Sequence, residues 1–443
     1  MISPLDLSRR ALVGAALALP TAGLAKAAPS GDLAELADAA FTFGIPLIEM
    51  AKVRGPSFAA GQRPGVLAGR RQLVVPAQRS VTMPNNDTVY ASVFVDLRKG
   101  PAIFTLPRDP GRYASLQVMD FYSNNIAVVS PRTPLGASES LRVVGPGAVA
   151  ARGDVVSSTP WIWALARVMV DGPDDIAAAL SVRDGYRLEA PTEAEAAPVT
   201  PSRSDDVFAQ LASLHGLLAE NPPPVQDAAI LPALEAVGLI GGDAFEPGRF
   251  DVTARALIAA GVERAKARAR DAISSGQLLD GWFYSDPKTG VFGQDYRLRA
   301  AVATFGLAAL PIQEATYFRA AGPDGGAGFD GDGPWVLRFA ADALPPVDAF
   351  WSATLYEPTP SGQYFLVENQ IGRYAIGDRT PGLVYGRDGS LEIWIARTAP
   401  GPGRMANWLP APATGAFTVI LRAYLPKPAI VEGRYRAPAI MPA

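Results

Sequence analysis

The sequence predicts a mainly β protein with a helical insert: two jelly-roll-like antiparallel β-sandwiches, α+β overall. Three observations predict it. Leu73–Trp163 and Trp335–Tyr424 both have the texture of short strands, rich in β-branched and aromatic residues and cut by Pro/Gly turns. Residues 172–310, between them, read as helices. The two β regions can also be laid on each other, segment by segment, in the same order. Many short strands with such turns fit sandwiches and jelly rolls.

The elements follow in chain order. Ser8-Arg9-Arg10 precedes a mild apolar run, Ala11 to Ala25, that ends in the A-x-A-type site Ala25-Lys26-Ala27. Residues 1–27 are therefore expected to be a twin-arginine signal peptide, and the mature protein to be periplasmic or secreted. The run is too short and too weakly apolar for a transmembrane helix, which needs about 20 apolar residues, and no membrane insertion is expected. Residues 31–70 form an N-terminal helix and linker. Leu33, Leu36, Ala39, Ala40, Phe43, Leu47 and Met50 recur at helical spacing, and Pro46 is expected to kink or break the helix. The first sandwich spans 71–170, with strands at Thr88–Val95, Ile103–Leu106 and Tyr113–Asp120 and a turn at Asp109-Pro110-Gly111.

The mainly helical segment spans 171–333. Its helices are read at Asp174–Leu188, Ser204–Glu220, Val225–Leu239, Thr253–Ser275 and Tyr296–Leu310, with a break at Asn221-Pro222-Pro223-Pro224. The Ala/Arg stripe near 264–270 reads as a solvated helix face. The second sandwich spans 334–443 and includes the alternating strand Leu391–Ile395 and the apolar strand Phe417–Leu425.

The repeat is specific. Phe104-Thr105-Leu106-Pro107 leads to Tyr113–Asp120, as Leu337-Arg338-Phe339-Ala340 leads to Phe350–Glu357. Each copy has an aromatic, a serine two residues on (Ser115, Ser352), and an acid five residues later (Asp120, Glu357). Arg132-Thr133-Pro134 matches Arg379-Thr380-Pro381, and Ser140–Val144 matches Ser390–Trp394. Two related sandwiches flanking a helical insert account for this order.

Composition narrows the function classes. The chain carries 40 lysines and arginines against 43 aspartates and glutamates, and loss of Arg9, Arg10, Lys26 and Asp6 with the signal leaves 37 against 42. That balance argues against a nucleic-acid partner. There is no cysteine and one histidine, His215. Thiol nucleophiles, thiolate metal sites and His-rich zinc or iron sites are thereby excluded within one chain, and no metal or cofactor is expected. A Ser-His-Asp triad would have to use His215, which reads as a helix-face residue. Gly-rich phosphate loops and a Rossmann fingerprint are absent from the sequence.

Pro84-Asn85-Asn86-Asp87-Thr88-Val89-Tyr90, Arg112-Tyr113 and Leu116-Gln117-Val118-Met119-Asp120 resemble the domain-of-unknown-function family numbered 1254. Pro345–Ser352, Asn369, Arg373–Gly382 and Asn407-Trp408-Leu409-Pro410 resemble its usual partner, the family numbered 1214. The resemblance implies two sandwiches and implies no reaction.

Chemistry is therefore sought in polar clusters. Asn85, Asn86, Asp87 and Tyr90 run into an apolar strand, as a structural Asx-turn loop or a ligand-gripping loop at a sandwich rim. Asp120 and Tyr122, with Asn124 and Asn125, close another strand. Arg373, Tyr374 and Asp378, with Arg379, form either ion pairs that pin a loop or a carboxylate-binding fork. Arg167, inside an apolar run, needs a partner such as Asp87 or Asp120. Asp87, Asp120 and Tyr356 are the candidate catalytic groups for acid–base work without histidine. Asn85, Asn86, Tyr90, Tyr122, Arg167, Arg373, Tyr374 and Asp378 are the candidate ligand-binding groups.

The Asp324–Gly333 loop has calcium-type residues but lacks the full motif, which favours an exposed hairpin. Trp351, Trp394 and Trp408 are read as core, with a binding platform as the other reading. The expected partner is a small organic or sugar-like molecule, handled by a hydrolase or lyase, or by a non-catalytic binder. A structural envelope protein, packing as a homo-oligomer, is the third reading. If Asn85, Asp87, Asp120, Arg167, Tyr356, Arg373 and Asp378 line one crevice, it lies between the two β regions.

The export reading has a direct check. Replacing both Arg9 and Arg10 with Lys is expected to hold the precursor inside the cell, because the translocation receptor reads that pair; cell fractionation and immunoblotting measure it, and normal secretion of the double variant refutes it.

Overall fold

A computed structural model describes residues 30–443, apart from 80, 109, 137–138, 275, 324, 327, 331–332 and 360–361. The signal segment, Asp109 of the first turn, and four positions of the Asp324–Gly333 loop lie outside the described residues. The chain enters through helix α1 (Ser30–Ala59), which contains both Pro46 and Pro56. The break expected at Pro46 does not occur. A proline removes one helical hydrogen bond, but Phe43, Leu47 and Met50 around it are wholly buried, and their burial, roughly 1.5–3 kcal/mol each, outweighs that loss. Arg54 on the same helix is also wholly buried, paired with Glu220 at 2.7 Å and stacked 4.5 Å from the ring centres of Phe121 and Trp161.

The first sandwich contains β1 (Thr88–Asp96), β2 (Ala102–Thr105), β3 (Ala114–Asp120), β4 (Asn125–Val129), β5 (Ser140–Val144), β6 (Val155–Val156) and β7 (Trp161–Met169). It is completed after α2 (Ile176–Arg183) by β8 (Arg187–Glu189). The helix expected at Asp174–Leu188 thus ends early, since Leu188 pairs with Phe104 as an edge strand. Next come α3 (Val207–Glu220), α4 (Leu231–Ala236) and α5 (Val252–Asp271), then β9 (Gln277–Leu279), β10 (Trp282–Tyr284) and α6 (Tyr296–Phe305). Helices α3 to α6 pack on α1. Gly261 on α5 lets that helix approach closely, because a Cβ there would sit 2.3 Å from the Ala34 carbonyl oxygen.

The second sandwich contains β11 (Ala315–Ala320), β12 (Phe329–Asp330), β13 (Trp335–Phe339), β14 (Val347–Pro358), β15 (Tyr364–Leu366) and β16 (Ala375–Gly377). It ends with β17 (Leu391–Ala396), β18 (Trp408–Pro410), β19 (Ala416–Pro426), α7 (Pro428–Val431) and β20 (Ile440–Pro442). Its sheet reaches back through β11 and β10 to β9. Four strands inside the segment read as helical, β9 to β12, belong to this sheet; each is two to six residues long, too short to declare a period of two.

Strand order repeats between the sandwiches. The inner sheet runs β1-β7-β3-β4 in the first, and the same path in the second runs β11-β19-β14-β15. The outer sheets run β8-β2-β5-β6 and β20-β13-β17-β18. In both, one pair departs from antiparallel: β5 with β6, and β17 with β18. The chain crosses between sheets at most connections, as in a jelly roll. Val89, Val93, Leu116 and Ala164 of one inner face meet Phe104, Leu141 and Val143 of the outer sheet. Leu355, Val419 and Leu421 meet Leu337, Ile393 and Leu409 in the other sandwich. The remaining face of the first inner sheet, with Phe94, Met119, Trp163 and Leu165, packs on the helices.

The sandwiches grip each other reciprocally. Each inner sheet carries a three-strand row in register: Ser115, Arg167 and Tyr90 in the first, and Ser352, Arg422 and Tyr317 in the second. The segment leading into β1 crosses the second row. Met83 O accepts from Arg422 Nη2 at 3.0 Å, Pro84 O from Tyr356 Oη at 2.6 Å, and Asp87 Oδ2 from Ser352 Oγ at 2.6 Å. The segment leading into β11 crosses the first row. Ala308 O accepts from Arg167 Nη2 at 3.0 Å, and Glu314 accepts from Tyr113 Oη at 2.6 Å and Ser130 Oγ at 2.8 Å.

Met83 and Ala308, whose carbonyls accept from Arg422 and Arg167, both have left-handed φ, 51° and 67°. The repeated arginines follow the same rule: Arg379 bonds the Val170 carbonyl and Asp87, and Arg132 bonds the Pro426 carbonyl. Reciprocal contacts of this kind describe an approximate two-fold relation.

The clasp can be tested at its buried pair. Arg379→Met is expected to cost about 3–5 kcal/mol, because buried Asp87 loses the cation paired directly with it. In urea denaturation, the Arg379→Met/Asp87→Asn double variant is expected to lose less than the two single losses added together; strict additivity refutes the pairing.

Candidate functional site

Beneath the helices, where the two Ser-Arg-Tyr rows come together, lies a cavity of about 1060 Å³. Its floor is polar: Tyr90 and Arg167 from the first sheet, Tyr317, Arg422 and Tyr424 from the second, and Asn85 from the clasp segment. Its roof is mainly apolar, with Ala265 and Ala269 of α5, Ile273, and Leu298, Val302 and Phe305 at α6, and it carries two cations, Arg268 of α5 and Arg297 of α6. Among the described residues the lining includes six arginines (70, 167, 268, 297, 319 and 422) but a single carboxylate, Asp286.

The floor is held by its own contacts. Arg167 is 5% exposed and lies 5.5 Å above the Tyr90 ring, and its Nη1 has no hydrogen-bond partner among the described residues. Glu314 feels its charge, but that carboxylate is occupied by Tyr113 and Ser130, and burial raises its pKa. Arg422 gives Nη1 to Thr354 Oγ1 at 3.0 Å and Nη2 to Met83 O. Asn85 donates to Tyr424 Oη, and the Leu310 amide donates to Tyr317 Oη at 3.2 Å. Burial raises the pKa of both Tyr317 and Tyr424, so both phenols stay neutral and able to donate. Arg319 lies across Phe283 at 4.3 Å and donates to the Ile273 carbonyl.

Of the residues singled out in the sequence, the structure brings Asn85, Tyr90 and Arg167 onto this wall. Tyr356 stands behind it, its ring 5.5 Å from the Arg422 guanidinium and its phenol pushed up to about 12 by burial. Asp87 belongs to the clasp and Asn86 donates to the Val74 carbonyl. Asp120 organises its own turn. It accepts from the amides of Tyr122 and Asn124, from Asn124 Nδ2, and from Ser158 Oγ at 2.7 Å; burial raises its pKa.

Tyr122 bonds the Asn221 carbonyl at 3.0 Å within the helical core. Arg373 spends Nη1 on the carbonyls of Met405, Ala406 and Trp408, and Tyr374 packs beside Tyr356 and Tyr364. Asp378 accepts from the Trp351 amide at 3.3 Å and lies 3.7 Å from Arg379. The carboxylate partner expected for Arg167 is corrected: neither Asp87 nor Asp120 reaches it, and a carbonyl from the other half takes the place. Trp351 and Trp408 are buried core residues, and Arg404 lies 3.7 Å over the Trp394 ring. His215 is buried on α3. Among the described residues no group of three or more His, Cys, Asp or Glu is placed to hold a metal ion, and no helix is long and apolar enough to cross a membrane.

Sequence reasoning missed Tyr317, Arg422 and Tyr424. Two signals were present: Asp87-Thr88-Val89-Tyr90 recurs as Glu314-Ala315-Thr316-Tyr317, and each of β7 and β19 is an apolar strand with one charge, an arginine.

The model of the family described as protein of unknown function (DUF1254) matches residues 65–190, and that of DUF1214 matches residues 314–428. The chain is a DUF1254–DUF1214 protein. Its two family domains coincide with the two copies of the repeated sandwich. The VPA0106 protein from Vibrio parahaemolyticus is 22% identical with a TM-score of 0.65, the match covering 93% of the DUF1254–DUF1214 chain and all of that protein. A putative uncharacterised protein from Burkholderia cenocepacia is 13% identical with a TM-score of 0.43, over 90% of this chain and 92% of that one. No curated protein matches the sequence.

Asp378 supplies a pH test of this description. Loss of hydration pushes its carboxyl up to about 6, with Arg379 opposing. The folded state therefore holds the proton more tightly than the unfolded state, and stability contributed here falls as pH rises from roughly 4 to about 6. Asp378→Asn removes that slope. Its stability relative to the parent is expected to rise between pH 4 and pH 8, by on the order of 1 kcal/mol after allowing for partial exposure; parallel urea titrations at the two pH values measure it.

Proposed function

We propose that this chain is exported and binds a small organic molecule in the cavity between its two sandwiches. The observation that supports this is the division of the cavity into an apolar roof and a polar floor. Ligand sites are typically concave and mostly apolar, with a few placed polar groups that fix orientation. A wholly structural contact between sandwiches would fill such a space with side chains, because interiors are close-packed.

Binding fits the geometry better than hydrolase or lyase chemistry. Two-carboxylate chemistry of the glycosidase kind needs a pair of acids flanking the substrate, and among the described residues the lining has Asp286 alone. Asp87 and Asp120 are each occupied by clasp and turn contacts. Of the ligand classes expected from sequence, an organic molecule suits the hydrocarbon roof better than a sugar, which has no comparable apolar body to bury.

Ala301 lines the cavity from α6, so Ala301→Trp is expected to occupy the space. In a thermal-shift screen of organic metabolites, the mature wild-type protein is expected to gain stability with at least one compound, about 2.7 kcal/mol at a hundredfold excess over Kd. The Ala301→Trp variant is expected to fold and show no such gain; equal stabilisation of both proteins refutes the cavity as the site.

A further inference from the structure

Resting on that reading, the geometry points to a ligand class: an amphipathic organic acid, its carboxylate on the floor between Arg167 and Arg422 and its apolar body under α5 and α6. The first support is charge. Arg167 and Arg422 are 5% and 3% exposed, and arginine stays protonated at any working pH. Burying a cation without a counter-charge is costly. Yet burial raises the pKa of Glu314, the carboxylate acting on Arg167, and Asp87, which acts on Arg422, is shared with Arg379, so two arginines draw on one carboxylate there. An incoming anion supplies the missing charge.

The second support is the donor set. Arg167 retains a guanidinium nitrogen without a hydrogen-bond partner among the described residues. Tyr317 and Tyr424 are neutral phenols on the same floor. Guanidinium and phenol N–H and O–H groups together match a carboxylate, which only accepts. The third support is the roof. Ala269, Ile273, Leu298, Val302 and Phe305 offer no donor or acceptor side chain, and the charges beside them, Arg268 and Arg297, are both cations, so a cationic end would be stranded there. One anionic head and one apolar body satisfy both surfaces.

Titration calorimetry of the mature protein with dodecanoate, dodecan-1-ol and dodecylammonium tests this. Dodecanoate is expected to bind at least about tenfold more tightly than dodecan-1-ol, and dodecylammonium most weakly. Arg167→Met is expected to bring dodecanoate down to the affinity of the alcohol, while Arg167→Lys keeps part of the preference, since an ammonium retains charge without the planar fork. If Arg167→Met does not fold, the ranking of the three probes on the wild-type protein decides. Equal or tighter binding of the alcohol or the amine overturns the anionic head and leaves the cavity reading standing. A preference for dodecanoate that survives in folded Arg167→Met also overturns it. Binding of none of the three overturns this inference, and the organic-molecule screen judges the cavity separately.

Discussion

The docking of the two halves depends on two buried arginines whose hydrogen bonds their own domains leave incomplete. Arg167 and Arg422 occupy matching places in two sheets, and each reaches a carbonyl that belongs to the other half. Docking removes water from both rows, and a buried guanidinium left without acceptors costs several kcal/mol, so each half has to bring a carbonyl to the other's arginine. The leading segments are where they are because those carbonyls are needed there. Met83 and Ala308 accept the left-handed backbone, which is uncommon for residues other than glycine, as part of presenting them.

The same constraint explains the helices. A sandwich ordinarily leaves the outward faces of its sheets to water. Here every residue of β3 is buried and β7 is buried along nearly its whole length, because the inner sheet packs on its partner sheet behind and on α1 with the helical layer in front. The helices therefore serve as a second core. The cavity exists where that apolar layer ends and the polar rows begin, so its two-sided character follows from which faces meet rather than from a dedicated loop.

Much of the architecture was legible. The repeat of Ser115 with Ser352 and of Arg132 with Arg379 identified two related sandwiches, because local strand patterns survive in sequence even when loops diverge. The helical insert was legible from its period, apart from the short strands Gln277–Leu279 and Trp282–Tyr284, whose identity depends on pairing with a strand far along the chain. Candidate-site residues were legible as residues that need partners, but the partners were not. Arg167 clearly required an acceptor. That the acceptor is the backbone of Ala308, 141 residues away, is set by the docking of one domain on another, which side-chain chemistry alone does not encode. Asp120 and Arg373 illustrate the opposite case: chemically eloquent side chains whose hydrogen bonds are consumed by a neighbouring turn and by three carbonyls.

The roof has a consequence of its own. The sheets are duplicated, and a duplicated pair of rows could in principle hold two equivalent ligands, one per row, on either side of the approximate axis. Helices α5 and α6 have no second copy; they arise once, from the segment that joins the repeats. A symmetric floor under an unsymmetric roof has only one way to be occupied along its length. Under the proposed binding the stoichiometry is therefore one molecule per chain, and the two floor rows, although alike in pattern, face different surroundings above them.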